Sequence, residues 1–408
     1  MLRAVRGEPG EPEHAPQSVL VVGRTLHEPF NEGTRVVGRN IALSAARVGH
    51  RVQIISLSEA GYADDAEVGG VPLHHVVRRS THSPLGDYWA VPALAAAVRR
   101  AAAAGQVNRI HLIGVPLMLA GAIRGQSRTI VNHVVLHAAE TGLSATDRLR
   151  ERLGWRVADH WIDAHAATSE TVRAALERDG WNGAKLAVLE PAIDTDRFSR
   201  RTAAPRAPGT LRIVYVGNIA PERFPAVDVV RMLEDVASRS SLRLRLDVFA
   251  PITFRPDNAQ WAARFPRSET VEVSVRLEDL SEQRKVDVFS SADVALYPFT
   301  RPVAVEPPLT VLETMACGTV PIVTASANRS AIVEDGRSGL TCPHRNALGA
   351  ALERFVRLSA AEREAMGLAA QDAVVRRFGF SSIAGETERL WRALDPAGGR
   401  MRPLRDAM

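Results

Sequence analysis

Short β-branched runs alternate with longer segments of helical periodicity along most of this chain of 408 residues. This alternation is typical of parallel sheets that are covered by helices. A polar loop containing Gly33 leads from the first run into an amphipathic helix that ends near Gly49, and the next run completes a βαβ unit. In the N-terminal half, the pattern predicts strands at residues 18–23, 51–57, 71–77, 109–113, 129–135 and 185–189, with further helices from about Tyr88 and from Ser169.

The pattern restarts after residues 199–210, a stretch with Pro205 and Pro208 that is the best linker candidate. Beyond it, a helix is predicted from about Pro225, and strands are predicted at residues 211–217, 243–249, 271–275, 294–297 and 320–324. We therefore expect two α/β domains, each with a doubly wound parallel sheet that binds ligands outside the carboxyl ends of its strands. The predicted division is a flexible tail at 1–17, an N-terminal domain at 18–198, the linker at 199–210, a C-terminal domain at 211–380, and a helix at 381–408 that packs back toward the N-terminal domain and has a flexible end.

The net charge of +5 and the pI of about 9.7 raise the question of a polyanionic partner. Arginine supplies nearly all of the basic side chains, since Lys185 and Lys285 are the only lysines, and it accompanies abundant alanine. This usage indicates the coding bias of a GC-rich, bacterial genome. The arginines are spread among acidic residues without the basic and aromatic clusters that single-strand binding needs, so we expect no nucleic acid partner.

The two cysteines, Cys317 and Cys342, have neither a pairing framework nor metal-ligand spacing. They favour a reducing cytoplasm, and they indicate neither a metal site nor catalysis. The longest apolar stretch, at residues 110–123, is too short to span a bilayer and contains Gly114 and Pro116. We therefore expect a cytoplasmic protein that is not integral to a membrane.

A basic segment at residues 147–161 places Arg148, Arg152 and Arg156 at helical spacing beside an apolar stripe that includes Val157. Such a helix is compatible with peripheral contact to anionic lipid. A solvated helix with a core-facing stripe is the commoner explanation of the same pattern.

The most informative segment is the run VEPPLTVLETMACG at residues 305–318, which is followed by an apolar strand. Its prolines are expected to open a helix and its glycine to close it. Glu313 is predicted near the start of this helix, where a free carboxylate accepts hydrogen bonds from sugar hydroxyls. A plain helix with one exposed glutamate would give the same pattern.

This run resembles the signature of GT-B glycosyltransferases of family 4, in which a glutamate and a proline precede a Leu-Glu-Ala-Met-Ala-x-Gly helix. The resemblance extends over most of the chain: residues 47–52, 194–198 and 332–339 are similar to three further motifs of the family, in the same order. It implies two Rossmann-like domains that face a central cleft, with the acceptor on the N-terminal domain and the donor on the C-terminal one.

The resemblance implies transfer of a sugar from a nucleotide diphosphate donor, with retention of configuration and without a metal or cofactor. The acceptor would be a small molecule, a glycan or a lipid-linked hydroxyl. Glu313 would contact the ribose, and the family's first glutamate would lie eight positions earlier, where this chain has Val305. Glu306 is one residue out of register; it either replaces that glutamate through a shift of the loop or faces solvent. The other donor-binding residues in this run are Pro308, Leu309 and Thr310.

Residues 214–224 resemble the family's phosphate-binding loop, in which an arginine and a lysine clamp the diphosphate after a glycine. Here Gly217 is present, Asn218 replaces the arginine, and Arg223 stands at the lysine position. Guanidinium binds phosphate in a forked manner, so Arg223 is expected to carry much of the clamp. The alternative is that Arg223 pairs with Glu222 or faces solvent.

In the N-terminal half, Gly33 lies in a loop that offers backbone N–H groups at a helix start, although such a loop is more often an ordinary turn. His133 falls at a strand end, where the family often carries a histidine that faces the sugar, and His137 lies nearby. Either histidine is equally compatible with a packed or surface position.

Three hypotheses follow. The leading one is a retaining glycosyltransferase in which His133 and Glu306 bind the sugar. A second is a GT-B enzyme that uses an unusual phosphorylated donor without a nucleotide, and Asn218 and Val305 motivate it. A third, from a different class, is a GT-B-like binding or partner subunit that has lost catalysis. A sugar nucleotide epimerase fits the segment around Glu313 less well.

Overall fold

The protein contains two parallel sheets. The computed structural model describes residues 15–28, 30, 32–59, 66–77, 86–105, 107–135, 154–201, 209–253, 255–302 and 305–395. The strands of the first are β1 (Ser18–Arg24), β2 (Arg51–Ser58), β3 (Glu67–Val68), β4 (Val71–Val77), β5 (Arg109–Ile113), β6 (Thr129–Val134), β7 (Ala164–Ala167) and β8 (Leu186–Val188). Those of the second are β9 (Thr210–Val216), β10 (Arg243–Ala250), β11 (Val271–Leu277), β12 (Val294–Tyr297), β13 (Val320–Thr324) and β14 (Leu340–Cys342).

The strand orders are β3-β4-β2-β1-β5-β6-β7-β8 and β11-β10-β9-β12-β13-β14. Apart from the short antiparallel pair of β3 and β4, the strand pairings within the described ranges are parallel. In each sheet the order reverses beside the first strand, which is the arrangement of a doubly wound fold. The predicted fold class is confirmed.

Helices cover the sheets. Those that follow strands of the first sheet are α1 (Gly33–Arg47), α2 (Val91–Gly105), α3 (Leu119–Ala122) and α4 (Glu170–Arg178). Those of the second half are α5 (Ala226–Ser238), α6 (Asn258–Ala263), α7 (Glu282–Ser290), α8 (Leu309–Ala316), α9 (Leu348–Arg357), α10 (Ala360–Phe378) and α11 (Phe380–Leu394). None of the helices in the described ranges is long and apolar enough to cross a bilayer.

Strand β1 illustrates why apolar runs become central strands here. Val19 and Val21 pack on the side of α1, whereas Leu20 and Val22 pack on the side of α2. A strand that is covered on both faces is predominantly apolar, because neither face meets water. The same requirement explains the other continuous runs from which the strands were predicted.

Several predictions of individual elements were wrong. Strands β3, β7 and β14 were not predicted, and the helix expected from Tyr88 begins at Val91, after a short 3-10 turn at Gly86–Ala90. In the basic segment, residues 154–158 are helical, but Val157 is 50% exposed instead of facing the core. All of residues 136–153, including His137, lie outside the described ranges, as do residues 1–14 of the tail and residues 202–208 of the linker.

The last helix, α11, packs on the N-terminal half of the molecule. Phe380, Ile383 and Leu390 share an apolar cluster with Val131 of β6 and Ala164 of β7. The turn before the helix is anchored nearby, since the amide N–H of Ile193 donates to the Phe378 carbonyl oxygen at 2.7 Å. The core of the first sheet therefore includes residues from the far end of the chain.

A group of three charges joins the two halves of the molecule; Arg39 and Glu282 are buried, whereas Arg197 is exposed. Arg39 on α1 and Arg197 each donate to one oxygen of Glu282, the first residue of α7. Arg39 is 3% exposed, and its guanidinium lies 4.4 Å from the centroid of the Phe30 ring. Burial by itself would raise the pKa of Glu282, but the two guanidiniums lower it below its ordinary value. Both oxygens of this carboxylate are satisfied, which is the condition for a buried charge to be tolerated.

We expect Glu282→Ala to lower the free energy of unfolding by about 3 kcal/mol, because Arg39 would remain buried without its partner. Chemical denaturation followed by far-UV circular dichroism measures the change. Gln283→Ala is the matched control, since Gln283 is the next residue of α7 and is exposed; it should change stability by less than about 0.5 kcal/mol. Equal losses in the two variants would contradict a structural role for the three charges.

Candidate functional site

A cleft of about 410 Å³ lies at the carboxyl ends of the strands, between the two sheets. Residues that follow four of the strands line this cleft: Gly217 follows β9, Pro251 follows β10, Phe299 follows β12 and Val135 follows β6. A second cavity, of about 600 Å³, lies at the amino ends of β12 and β13. Ligands of doubly wound sheets bind at the carboxyl ends, so the first cleft is the candidate site.

Gly33 begins α1 and forms part of the wall of the cleft. A Cβ atom at this position would lie 2.4 Å from Cγ2 of Val305, which belongs to the opposite half of the molecule. The residue before the helix, Glu32, accepts a hydrogen bond from the Thr34 hydroxyl at 3.1 Å. The helix start thus approaches the other domain closely because residue 33 has no side chain.

The loop after β9 is held in shape by its own side chains. The Tyr215 hydroxyl donates to the carbonyl oxygen of Asn218 at 2.6 Å, and Oδ1 of Asn218 accepts from the amide N–H of Ala220 at 3.0 Å. Gly217 has a φ of +148°, which favours glycine, and a Cβ there would lie 3.2 Å from the Tyr215 hydroxyl. Asn218 is therefore a structural residue of the turn, and this turn directs Arg223 toward the cleft.

Three arginines line the cleft, Arg223, Arg255 and Arg301, and Arg301 is paired with Glu222 at 3.5 Å. The guanidinium of Arg223 lies 5.9 Å from the centroid of the Phe299 ring. Burial lowers the pKa of Arg223, and the positive charge of Arg255 lowers it further, whereas Tyr215, Glu222 and Glu32 act in the opposite direction. Both guanidiniums remain charged at neutral pH. They repel each other across a space that an anion would fill favourably.

Glu313 lies in the second turn of α8 and is 1% exposed, so the prediction of a free carboxylate near the helix start was wrong. Both of its oxygens accept from Nζ of Lys285, each at 3.1 Å. Burial raises the pKa of Glu313, and the Lys285 ammonium opposes that rise. The two side chains form an ion pair on the wall of the cleft.

Glu306 lies next to the cleft, but its side chain points elsewhere. Its carboxylate accepts from the amide N–H and the hydroxyl of Ser330, at 3.1 and 2.6 Å. Its carbonyl oxygen accepts from the Thr168 hydroxyl at 2.7 Å. Glu306 is only 3% exposed, and Val305 is the residue of this pair that lines the cleft. The alternative in which Glu306 faces solvent was wrong.

His133 is buried behind the cleft, two residues before Val135. Its Nε2 lies 2.7 Å from Nδ1 of His111, and the two rings are stacked with centroids 5.0 Å apart. Burial lowers the pKa of His133 to about 3. The imidazole is therefore neutral at physiological pH, and it acts as a hydrogen-bonding group and not as a cation.

The structure brings together most of the residues that were predicted from the sequence. The cleft is lined by Gly33, Gly217, Asn218, Arg223, Pro308, Leu309, Thr310 and Glu313. His133 and Glu306 lie just behind its wall. Sequence reasoning missed Lys285 and Arg255; the available signal was that Lys285 is one of two lysines in an arginine-rich chain. Within the described ranges, no three His, Cys, Asp or Glu side chains are grouped so that they could hold a metal ion.

Comparison with known families agrees with this architecture. The family model described as Glycosyltransferase Family 4 matches residues 32–197, and the one described as Glycosyl transferases group 1 matches residues 210–358. The two matches lie on either side of the predicted linker and together include every strand named above except β1. No curated protein matches the sequence at a significant level.

Solved structures share the fold at low sequence identity. Sucrose-phosphate synthase from Thermosynechococcus elongatus has a TM-score of 0.71 at 16% identity, over 94% of this chain and 100% of that one. HepE from Anabaena, in complex with UDP and glucose, has a TM-score of 0.66 at 15% identity, over 92% and 100%. The catalytic domain of starch synthase IV from Arabidopsis thaliana, bound to ADP and acarbose, has a TM-score of 0.66 at 14% identity, over 93% and 99%.

We expect Gly33→Ala to lower the free energy of unfolding by about 1–3 kcal/mol, because the new Cβ would overlap Cγ2 of Val305. Val305→Ala removes that atom, so the double variant should lose less stability than the sum of the two single variants. A double-mutant cycle by chemical denaturation measures this coupling. Gly105→Ala is the control, because a Cβ there meets nothing within 4 Å; simple additivity at residues 33 and 305 would contradict the contact.

Stability should depend on pH through His133. Its pKa is lowered to about 3 in the folded protein, whereas an unfolded chain takes up the proton near pH 6.5. The contribution is therefore fully present above pH 6.5 and is lost as the pH falls toward 3. Between pH 7 and pH 5 this histidine should lower the free energy of unfolding by about 2 kcal/mol.

Urea denaturation of the wild type and of His133→Gln at the two pH values measures the effect. The loss of stability between pH 7 and pH 5 should be smaller in the variant by about 2 kcal/mol. In His74→Gln, a control at an exposed histidine, the loss should equal that of the wild type. The same loss in His133→Gln would show that this imidazole is not kept neutral by burial.

Proposed function

Because the chain belongs to the GT-B glycosyltransferases of family 4, we propose that it transfers a sugar from a nucleotide diphosphate sugar to a hydroxyl acceptor, with retention of configuration and without a metal. The observation that carries the donor assignment is that one cleft is lined both by arginines, including Arg223 and Arg255, and by the buried Glu313–Lys285 pair. A nucleoside diphosphate requires both groups, because the guanidiniums can bind its phosphates and the Glu313 carboxylate can bind its ribose.

The phosphate side of the proposal rests on charge. Arg223 occupies the position of the family's lysine, and Arg255 supplies the second cation that Asn218 does not. A leaving diphosphate develops negative charge as the glycosidic bond breaks, and cations aimed at that charge lower the barrier. Two guanidiniums fulfil this role without a metal. The N-terminus of α1 at Gly33 adds backbone N–H groups on the opposite wall.

The ribose side rests on Glu313. Its two oxygens share the ammonium of Lys285, which opposes the rise that burial causes in the pKa of Glu313 and fixes the direction of the carboxylate. Each oxygen retains a lone pair that can accept from a ribose hydroxyl. Lys285 acts here as a positioning residue, and it also lines the cleft close to where a base would lie.

The sugar side differs most from the family. Val305 offers only methyl groups where the family has a glutamate, and the Glu306 carboxylate is bound to Ser330. We propose that His133 contacts the sugar. Glu306 holds the loop of residues 305–308 against the N-terminal domain through its carbonyl oxygen and Thr168. The Glu306 carboxylate could bind the sugar only if its hydrogen bonds with Ser330 were broken.

We assign the acceptor to the N-terminal domain and propose that it is a small molecule, a glycan or a lipid-linked hydroxyl. The exposed aromatic residues Tyr88 and Trp89 lie in the turn Gly86–Ala90, which Asp87 ties to Arg24 at the end of β1. Aromatic faces of this kind suit sugar rings and interfacial lipid. The buried, unpaired thiols of Cys317 and Cys342 support a location in the reducing cytoplasm.

A second candidate is a binding or partner subunit without catalysis. It is favoured by Val305 and by the engagement of the Glu306 carboxylate with Ser330, since both remove a carboxylate from the sugar position. This subunit would bind a nucleoside diphosphate but would not transfer or hydrolyse the sugar.

A further alternative is a GT-B enzyme whose donor lacks a nucleotide. Such an enzyme would bind pyrophosphate, and the addition of a nucleoside would not increase the affinity.

We expect isothermal titration calorimetry to detect binding of at least one nucleoside diphosphate from a panel of five bases, with the nucleoside alone binding far more weakly. Arg223→Ala and Arg255→Ala should each weaken the diphosphate complex by about 10–100-fold, the loss expected for one charge-assisted contact. Neither variant should change the weak affinity for the nucleoside, because the guanidiniums face the phosphates.

Arg231→Ala is the matched control, since Arg231 is an exposed arginine on α5, away from the cleft. It should leave the affinity unchanged. An affinity for nucleoside diphosphates that is the same in Arg255→Ala and in the wild type would remove Arg255 from the site. No binding of any nucleoside diphosphate by the wild type would overturn the proposed donor.

A further inference from the structure

Three aromatic side chains from two distant parts of the sequence form a hydrogen-bonded row behind the cleft. Nε1 of Trp391, on α11, donates to Nε2 of His111, on β5, at 2.9 Å. Nδ1 of His111 lies 2.7 Å from Nε2 of His133, on β6. The three residues are 3%, 0% and 4% exposed, so the row is shielded from water.

Trp391, the first residue of the row, determines which ring nitrogen carries the proton in each of the two histidines. An indole nitrogen only donates, so Nε2 of His111 must be an acceptor without a proton. A neutral imidazole carries one proton, so that of His111 lies on Nδ1 and is donated to His133. Nε2 of His133 is then an acceptor too, and its own proton must lie on Nδ1.

A charged His111 is incompatible with this geometry, because its Nε2–H would point at the indole N–H across 2.9 Å. Other features of the surroundings act in the same direction. The Arg109 guanidinium lies 5.8 Å from the centroid of the Trp391 ring and is paired with Asp395. Burial, His133 and Arg109 together hold the pKa of His111 well below its usual range. His50 contacts Trp391 edge-on and is paired with Glu388.

The row ends on an unsatisfied donor. Nδ1 of His133 is buried and has no hydrogen-bond partner among the described residues. Leaving a buried N–H unpaired costs about 1–3 kcal/mol, so native proteins rarely do so without a purpose. His133 lies two residues before Val135, which lines the cleft, and a ligand oxygen that reached Nδ1 would satisfy this donor.

We propose that Trp391 acts through His111 as a positioning residue that fixes His133 as the Nδ1–H tautomer, so that His133 presents a hydrogen-bond donor to a sugar oxygen of the donor substrate. The sugar contact rests on the proposed function, whereas the tautomer does not. A donor of this kind selects an oxygen acceptor on the ligand and needs no proton transfer. The C-terminal helix thereby sets the chemistry of a residue on the N-terminal sheet.

Nitrogen-15 NMR of histidine side chains tests the tautomer directly, because protonated and unprotonated ring nitrogens have well separated shifts. With ligand-free wild-type protein at pH 7.5, both His111 and His133 should show protonated Nδ1 and unprotonated Nε2. A protonated Nε2 on either ring would overturn the proposal. Since no substrate is present, this result is judged independently of the proposed transferase activity.

Trp391→Phe keeps the ring in place and removes only the N–H. We expect His111 to divide between its two tautomers, His133 to gain the Nε2–H form, and kcat for transfer to fall about tenfold, the effect of one hydrogen bond. Affinity for the nucleoside diphosphate should not change, because the nucleotide contacts the other domain. An unaltered His133 tautomer in this variant would contradict the relay.

Trp261→Phe is the matched control, since Trp261 lies on α6 of the other domain; both the spectrum and kcat should equal those of the wild type. If Trp391→Phe does not fold, His111→Asn provides the second arm, because its amide can still donate to Nε2 of His133 and should preserve the Nδ1–H form. Loss of that form in His111→Asn would count against the proposal.

Discussion

The negative charge of Glu282 is the constraint that relates the two domains to each other and to the donor side of the cleft. It is bound by Arg39 from the N-terminal sheet and by Arg197 from the segment that leads to the linker. One turn further along α7, Lys285 binds Glu313. Positive and negative groups therefore alternate from the interface to the cleft, and Arg39, Glu282, Lys285 and Glu313 among them are buried. Removing Glu282 would leave Arg39 buried without its partner, so this charge fixes the position of α7.

The sheets could be predicted because a strand with both faces buried is predominantly apolar, and that pattern is visible in local sequence. The elements that were missed have no such signature. Strand β7 contains three alanines and His165, which is buried with Asp159 as its partner at 3.0 Å. Its register is imposed by β6 and β8 on either side. Such a strand forms because the neighbouring strands offer backbone hydrogen-bonding partners. Its own amino-acid composition does not predict a strand.

The same distinction applies to the candidate site. Residues that act through backbone position, such as Gly33, Gly217 and Pro308, were predicted because turns and helix starts are local. Side-chain partnerships were not, since Arg39 and Glu282 are 243 residues apart and Trp391 and His111 are 280 apart. Glu313 was expected to be free because its partner lies on another helix. A carboxylate in a motif indicates that chemistry is present, but only the fold determines what it binds.

The docking of α11 on the first sheet has a consequence for biosynthesis. The cluster formed by Val131, Ala164 and Phe380 is incomplete until the final helix has left the ribosome. Translation at about 5–20 residues per second separates the end of the first sheet from this helix by on the order of 10 to 40 s. During that interval the nascent N-terminal half exposes an apolar groove that matches α11, and the second sheet can fold before the first is finished. Folding of the N-terminal half is therefore completed only after α11 has been translated. The half that is synthesised first finishes folding last.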